Sequence, residues 1–182
     1  VADRPAAFPG EAAFAASGEY TAFFGGTVPA AQAAIVTVVN RLNQIYEKEV
    51  AVRMVLVANN SSLIYTNAAS DPYSNTCDAA DTNQGIVDGA LGNANYDVGH
   101  VVTTGSGGCA YLASVGVPGL KAGGTTGTSS PVNDPFVVDY VAHEVGHQYG
   151  GDHTFNGSRG SCAGGNRNGP TAYEPGSGAT IQ

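Results

Sequence analysis

One long amphipathic stretch sets the strongest limit on how this chain can fold. After Thr27, an N-cap residue type, and with Pro29 in the first turn, apolar residues recur at steps of three and four. These positions are Ala31, Ile35, Val38, Val39, Leu42, Ile45 and Tyr46. The spacing predicts a helix over residues 28–49 with a single buried stripe.

Shorter patterns along the rest of the chain alternate between strand and helix. Runs of β-branched and aliphatic residues predict strands, and apolar residues at helical spacing predict helices. The predicted elements are strands at 50–57, 63–65 and 96–103, a loop at 67–84, a helix at 86–91 and a final helix from Phe136 to Tyr149, with Asn133 or Asp134 as its cap. This order fits an α/β domain.

The length of 182 residues fits one domain with one core. Residues 1–26 show no steady periodicity and are predicted to be an entry segment that lies on the domain. Residues 157–182 are rich in Gly, Asn, Ser and Pro, so they cannot form a second core by themselves.

Charge and hydropathy exclude two classes of partner. Seven Lys and Arg residues against fifteen Asp and Glu residues give a net charge of −8, which argues against nucleic-acid binding. No stretch approaches the ~20 apolar residues that span a bilayer, so a membrane partner is not expected. The few lysines and many Gly, Thr, Asn and Ser residues resemble those of exported bacterial proteins. A start at Val1, with Met54 as the only methionine, predicts a processed piece of a longer chain.

The three cysteines, Cys77, Cys109 and Cys162, cannot all pair within one chain. Each of the three conceivable bridges leaves one thiol over, so the odd number predicts either a free thiol or a partner beyond residue 182. Three unpaired, buried cysteines are the alternative.

The most informative segment holds three of the four histidines within eleven residues, from His143 to His153. On a helix, His143 and His147 lie one turn apart on the same face, so both can bind one ion about 2.0–2.1 Å from each nitrogen. Gly150 permits the left-handed turn that ends the helix and brings His153 back towards that ion. Three imidazoles leave one position of a tetrahedral zinc open for water, as in a catalytic site.

Glu144 follows the first of these histidines but points about 100° around the helix. It is therefore poorly placed as a ligand and well placed as the general base that takes a proton from a zinc-activated water. A single histidine on a helix is usually a surface or core residue. By composition, however, this five-residue constellation arises by chance in roughly one of 100,000 such sequences. The alternative that remains is a zinc site without catalysis.

The segment HEVGHQYGGDH matches the HExxHxxGxxH consensus of the metzincin metallopeptidases, and flanking segments resemble the bacterial reprolysin-like, adamalysin-related branch. Those segments are residues 95–101, 107–112, 121–124, 151–156 and 172–178. The resemblance covers the chain from about residue 30 to its end. It implies an α/β fold with a twisted, mostly parallel sheet of about five strands, a backing helix and an active-site helix.

The same resemblance implies a zinc-dependent endopeptidase. Residues 27–153 would form the N-terminal catalytic subdomain, with His143, His147 and His153 as zinc ligands and Glu144 as the base. An antiparallel edge strand borders the cleft in this architecture, and a protein or peptide substrate adds to it as an extended strand. Residues 107–112 correspond to that edge, with Gly107, Gly108, Cys109 and Ala110 as substrate-binding residues. An ordinary turn at residues 107–108 is the alternative.

The chain departs from the family pattern at its end. Metzincins carry a Met-turn beneath the metal site, after a stretch similar to residues 177–181, but Gln182 stands at that place. Residues 154–182 are therefore predicted to be the start of an incomplete C-terminal subdomain. A non-catalytic or truncated zinc-binding module that binds protein is the alternative function. In this branch Cys162 would pair with a cysteine past the Met-turn, which leaves Cys77 and Cys109 as the internal bridge.

Two further features, one histidine and four aspartates, are expected not to bind a metal. His100 lies in a predicted strand and is expected to be a packed, hydrogen-bonded histidine rather than a ligand. Four carboxylates between residues 67 and 90 are weak candidates for binding calcium, but they lack the spacing of a calcium loop and are expected to be solvated. They are Asp71, Asp78, Asp81 and Asp88.

Overall fold

A computed structural model describes residues 8–174 and 180–182 and places a five-stranded sheet at the centre of the fold. The strands are β1 (Phe8–Ala16), β2 (Val52–Leu56), β3 (Val98–Thr103), β4 (Gly107–Ala110) and β5 (Gly124–Gly127). They lie in the order β2-β1-β3-β5-β4; β4 is antiparallel to β5 and the other pairs are parallel. The predicted mixed sheet is confirmed, with β4 as its antiparallel edge.

The helices are α1 (Gly18–Phe23), α2 (Val28–Glu49), α3 (Asp78–Leu91), α4 (Asn133–Phe136) and α5 (His143–Gln148). A π-helical stretch, Val137–Ala142, joins α4 to α5 in one helical run, named here the 133–148 helix. Short 3₁₀ turns lie at Asn60–Leu63, Asn93–Asn95, Gly160–Cys162, Gly164–Asn166 and Gly169–Thr171. The helix predicted at 28–49 is confirmed.

The inner strands of the sheet are largely buried on both faces, with every residue of β3 and β5 buried. In β1, Phe14 points to the face that packs against α2 and the 133–148 helix, whereas Ala13 and Ala15 point to the face covered by α3. The Tyr46 hydroxyl of α2 donates a hydrogen bond to the carbonyl of Ala142, at 2.7 Å, and so joins the two helices on their shared face. The sheet therefore supports the helix that carries the histidine motif.

Several sequence-based predictions were wrong. Residues 8–16 are not part of an entry segment on the surface but form β1, which lies between β2 and β3. Residues 63–65 do not form a strand: Leu63 ends a 3₁₀ turn, and Ile64 makes a single bridge to Ala16. The loop predicted to extend to residue 84 ends earlier, because α3 already begins at Asp78.

The predicted cap of the last helix was also wrong. The 133–148 helix begins without a side-chain cap hydrogen bond. The carboxylate of Asp134 instead accepts two hydrogen bonds from the guanidinium of Arg41 on α2, at 2.8 and 3.0 Å. The ion pair uses the side chain that was expected to bind the helix N-terminus.

Two predicted segments fall partly or wholly on undescribed residues. Residues 1–7 of the expected entry segment and residues 175–179, which precede the expected Met-turn, lie outside the described residues. Within the described ranges, no helix is both long and apolar enough to cross a bilayer.

Candidate metal centre

The structure brings three imidazoles to one point, as the sequence predicted. The Nε2 atoms of His143 and His147 are 3.0 Å apart, and each lies 3.2 Å from Nε2 of His153. Within the described residues, these histidines are the one group of three or more His, Cys, Asp or Glu side chains arranged to hold a metal ion.

Backbone carbonyls determine which nitrogen of two of these rings carries the proton. Nδ1 of His143 lies 2.6 Å from the carbonyl oxygen of Ile181, and Nδ1 of His147 lies 2.6 Å from that of Gly151. A carbonyl only accepts hydrogen bonds, so each Nδ1 is the N–H donor and each Nε2 presents a lone pair. Converging lone pairs repel one another unless a cation lies among them.

The spacing of the three nitrogens fits a metal ion. Two nitrogens bound about 2.0–2.1 Å from one tetrahedral zinc lie about 3.4 Å apart, close to the observed 3.0–3.2 Å. Burial lowers the pKa of His143 and of His147 below the ordinary value, which favours the neutral rings that bind metal. The donor set and its protonation both suit a divalent cation.

Two glycines let the chain turn back after α5. Gly150 has a φ of 96°, which a residue with a Cβ rarely adopts. Its N–H donates to the carbonyl of His147, at 2.8 Å, and the N–H of Gly151 donates to that of Gly146, at 2.9 Å. These bonds satisfy carbonyls at the helix end and place the following residues, including His153, beside the helix.

Glu144 lies on a different side of α5 from His143 and His147 and faces the edge strand β4. It is only 7% exposed, and burial raises the pKa of its carboxyl to about 7. Gly108 of β4 leaves the room for it, since a Cβ on Gly108 would lie 2.5 Å from Oε1 of Glu144. A buried carboxyl with this pKa is suited to exchange protons near neutral pH.

A disulfide joins the edge strand β4 to the start of α3. Cys77, just before α3, is bonded to Cys109 of β4, with 5.5 Å between the Cα atoms. This is the pairing implied by the resemblance. Cys162 is free within the described part of the chain and partly exposed.

The comparison with known families agrees with this geometry. The family model for reprolysin-like metallopeptidases of family M12B matches residues 28–181. The chain belongs to this family. No curated protein matches it. A reprolysin-like chain is a peptidase, with proteins or peptides as substrates, and its three-histidine cluster fits the metal of such an enzyme.

The reprolysin-like chain has a glutamine where the Met-turn was expected. Nε2 of Gln182 donates to the carbonyl of His143, at 2.8 Å, and the side chain lies so close to Gly146 that a Cβ there would not fit. Ile181 thus contacts the ring of His143, and Gln182 contacts its backbone. Sequence reasoning missed their role because hydrogen bonds to carbonyls leave no local pattern.

Three of the four calcium candidates of the reprolysin-like chain accept hydrogen bonds within the protein, whereas Asp78 is exposed. Asp71 accepts from the backbone N–H groups of Gly18 and Tyr73, at 2.7 and 2.8 Å. Asp88 accepts from the hydroxyl of Tyr96, at 2.7 Å. Asp81 accepts from the hydroxyl of Tyr111. These bonds give Asp71, Asp81 and Asp88 structural roles that need no ion.

Proposed function

We propose that this chain is a zinc-dependent endopeptidase in which His143, His147 and His153 hold the metal and Glu144 is the general base. The convergence of three Nε2 atoms within 3.2 Å of one another carries the proposal. Imidazole nitrogens in a three-ligand set favour zinc among the common biological metals. When bound, zinc would polarise a peptide carbonyl and lower the pKa of a water molecule.

Glu144 supplies the proton transfer in this proposal. Its position on the helix, next to His143 yet pointing elsewhere, separates the carboxylate from the three ring nitrogens. A pKa near 7 lets the carboxylate take a proton from water and return it to the leaving amine at neutral pH. β4 contributes to this burial, because Gly108 lies directly against the side chain of Glu144.

Residues Gly107 to Ala110 are proposed to bind the substrate backbone. They form β4, whose one partner among the described strands is β5, so the other side of β4 is an unpaired edge. An extended peptide can pair with such an edge through its main chain, largely independently of its sequence. Gly108 belongs both to this edge and to the surroundings of Glu144, so a peptide on β4 would lie beside the base.

Glu144→Gln tests the proposal. The amide cannot take a proton, so hydrolysis of casein should fall at least about 100-fold while zinc content stays at the wild-type level. Wild-type activity should disappear with a chelator and return with zinc. A wild-type protein that binds zinc but cleaves neither casein nor mixed peptides would show the alternative, a zinc-binding module that interacts with proteins.

We also propose that the protein is exported. The Cys77–Cys109 disulfide is typical of proteins in oxidising compartments. The bacterial origin that the sequence composition suggests stays a prediction.

A further inference from the structure

Gln148 directly follows His147, and its side chain is completely buried against the sheet. Its Nε2 donates to the carbonyl of Gly99 in β3, at 2.9 Å, and lies 3.4 Å from the carbonyl of Lys121. Both acceptors are carbonyls, which identifies this atom as the amide nitrogen. Oε1 of Gln148 is left as an acceptor for His100.

His100 continues the chain of hydrogen bonds. Its Nδ1 lies 3.0 Å from Oε1 of Gln148, and its Nε2 lies 2.8 Å from the hydroxyl of Thr126 in β5. The packed, hydrogen-bonded histidine predicted from sequence is confirmed. Because Oε1 of Gln148 only accepts, Nδ1 of His100 donates and Nε2 accepts from Thr126. Every bond in this series has a fixed direction.

Glycines in the two neighbouring strands make room for the polar side of α5. A Cβ on Gly124 of β5 would lie 2.5 Å from both Oε1 of Gln148 and Nδ1 of His100. Glu144 and Gln148 are four residues apart and therefore share one side of the helix. Gly108 accommodates the first and Gly124 the second, so the same side of α5 that carries the proposed base also carries the amide that binds the sheet.

The apolar contacts of the 133–148 helix do not fix its rotation as strictly, and the hydrogen bonds from Arg41, Tyr46 and Gln182 reach only Asp134 and the carbonyls of Ala142 and His143. Val141 and Val145 are buried in the apolar core, and such burial is non-directional. Hydrogen bonds, in contrast, weaken steeply when donor and acceptor lose alignment. A small rotation of the helix about its axis would preserve much of the apolar contact but break the bonds of Gln148.

We propose that Gln148, held by His100 and Thr126, is a positioning residue that fixes the rotation of the 133–148 helix and thereby aims His143, His147 and Glu144 into the cleft. The effect on hydrolysis rests on the proposed function. The effect on metal geometry does not, because it can be measured without turnover.

Gln148→Met tests this proposal, since methionine has a similar length but makes no comparable hydrogen bonds. The visible spectrum of the cobalt-substituted protein should change, and zinc affinity should fall about 10-fold or more. With casein-derived peptides, kcat should fall about 10- to 100-fold while KM changes less than about threefold, because the reacting groups are misaligned but the β4 edge remains.

Asn43→Leu is the matched control. Asn43 also is a buried amide with two backbone hydrogen bonds, to Met54 at 2.7 and 2.8 Å, but it joins α2 to β2. The Asn43→Leu substitution should lower the stability of the fold and leave the cobalt spectrum and kcat unchanged. A Gln148→Met protein that loses stability like Asn43→Leu, with an unchanged cobalt spectrum and zinc affinity, would overturn the proposal.

Thr126→Val provides a milder variant in case Gln148→Met does not fold. It removes only the outermost hydrogen bond and should shift the cobalt spectrum in the same direction by a smaller amount; an unchanged spectrum would count against the proposal. If the wild-type protein binds cobalt but hydrolyses nothing, the proposed function fails, whereas the spectra of these variants still decide the role of Gln148.

Discussion

At the scale of single residues, Gly108 shows how closely the edge strand approaches the proposed base. A Cβ at this position would lie 2.5 Å from Oε1 of Glu144, so Gly108→Ala should displace the carboxylate. We expect kcat/KM for a peptide substrate to fall about tenfold or more, because catalysis depends on the placement of reacting groups. Zinc content, measured by metal analysis, should not change, since no histidine is touched.

Gly85→Ala is the control for this substitution. Gly85 lies in α3, where a Cβ would meet nothing within 4 Å. Alanine should therefore raise the stability of the helix by up to about 1 kcal/mol and leave kcat/KM unchanged. If Gly108→Ala is as active as Gly85→Ala, the contact between β4 and Glu144 has no role in the reaction.

At the scale of elements, the disulfide joins the short edge strand to the start of α3. Cys77 and Cys109 are 32 residues apart, and a loop of this length predicts a stabilisation of about 3–4 kcal/mol. The double variant Cys77→Ser/Cys109→Ser should lose about that much free energy of unfolding in urea titrations. Cys162→Ser, at the partly exposed free cysteine, should stay within about 0.5 kcal/mol of the wild-type protein.

The elements also differ in how well the sequence predicted them. The bounds of α2 were predicted because this helix buries a single stripe, which leaves a clear periodicity. Strand β1 was missed because it is central and buried on both faces, so apolar and polar residues do not alternate. Four of its nine residues are alanine, which favours helix in isolation. Tertiary packing decides its conformation.

In the candidate site, too, some features could be predicted from the sequence and others could not. His143, Glu144 and His147 could be predicted as neighbours because one helical turn relates them, and Gly150 indicated the turn towards His153. The contacts that orient these groups join distant parts of the chain, such as the ring of His143 with Ile181 or Gln148 with His100. No local pattern marks such pairs, so the sequence predicted the reacting groups but not what holds them.

At the scale of the whole molecule, acidification affects stability in two ways, through the net charge and through a single buried histidine. The net charge of −8 at pH 7 falls to zero near the sequence pI of 4.7, so self-repulsion decreases on acidification. Burial of His100 acts in the opposite direction, because it lowers the pKa of the ring from 6.5 to about 4 in the folded state. Below pH 6.5 the unfolded chain therefore takes up a proton that the folded protein does not bind.

The contribution of His100 to stability is consequently complete above about pH 6.5 and is lost as the pH falls towards 4. The loss should amount to about 3 kcal/mol over this range. His100→Gln removes the titrating group, and every other titrating group, including the three clustered histidines, is common to both proteins. Urea unfolding of the two proteins between pH 7 and pH 4 should show the steeper loss in the wild-type protein. Parallel curves would mean that the ring is protonated in the fold, which is incompatible with its accepting a hydrogen bond from Thr126.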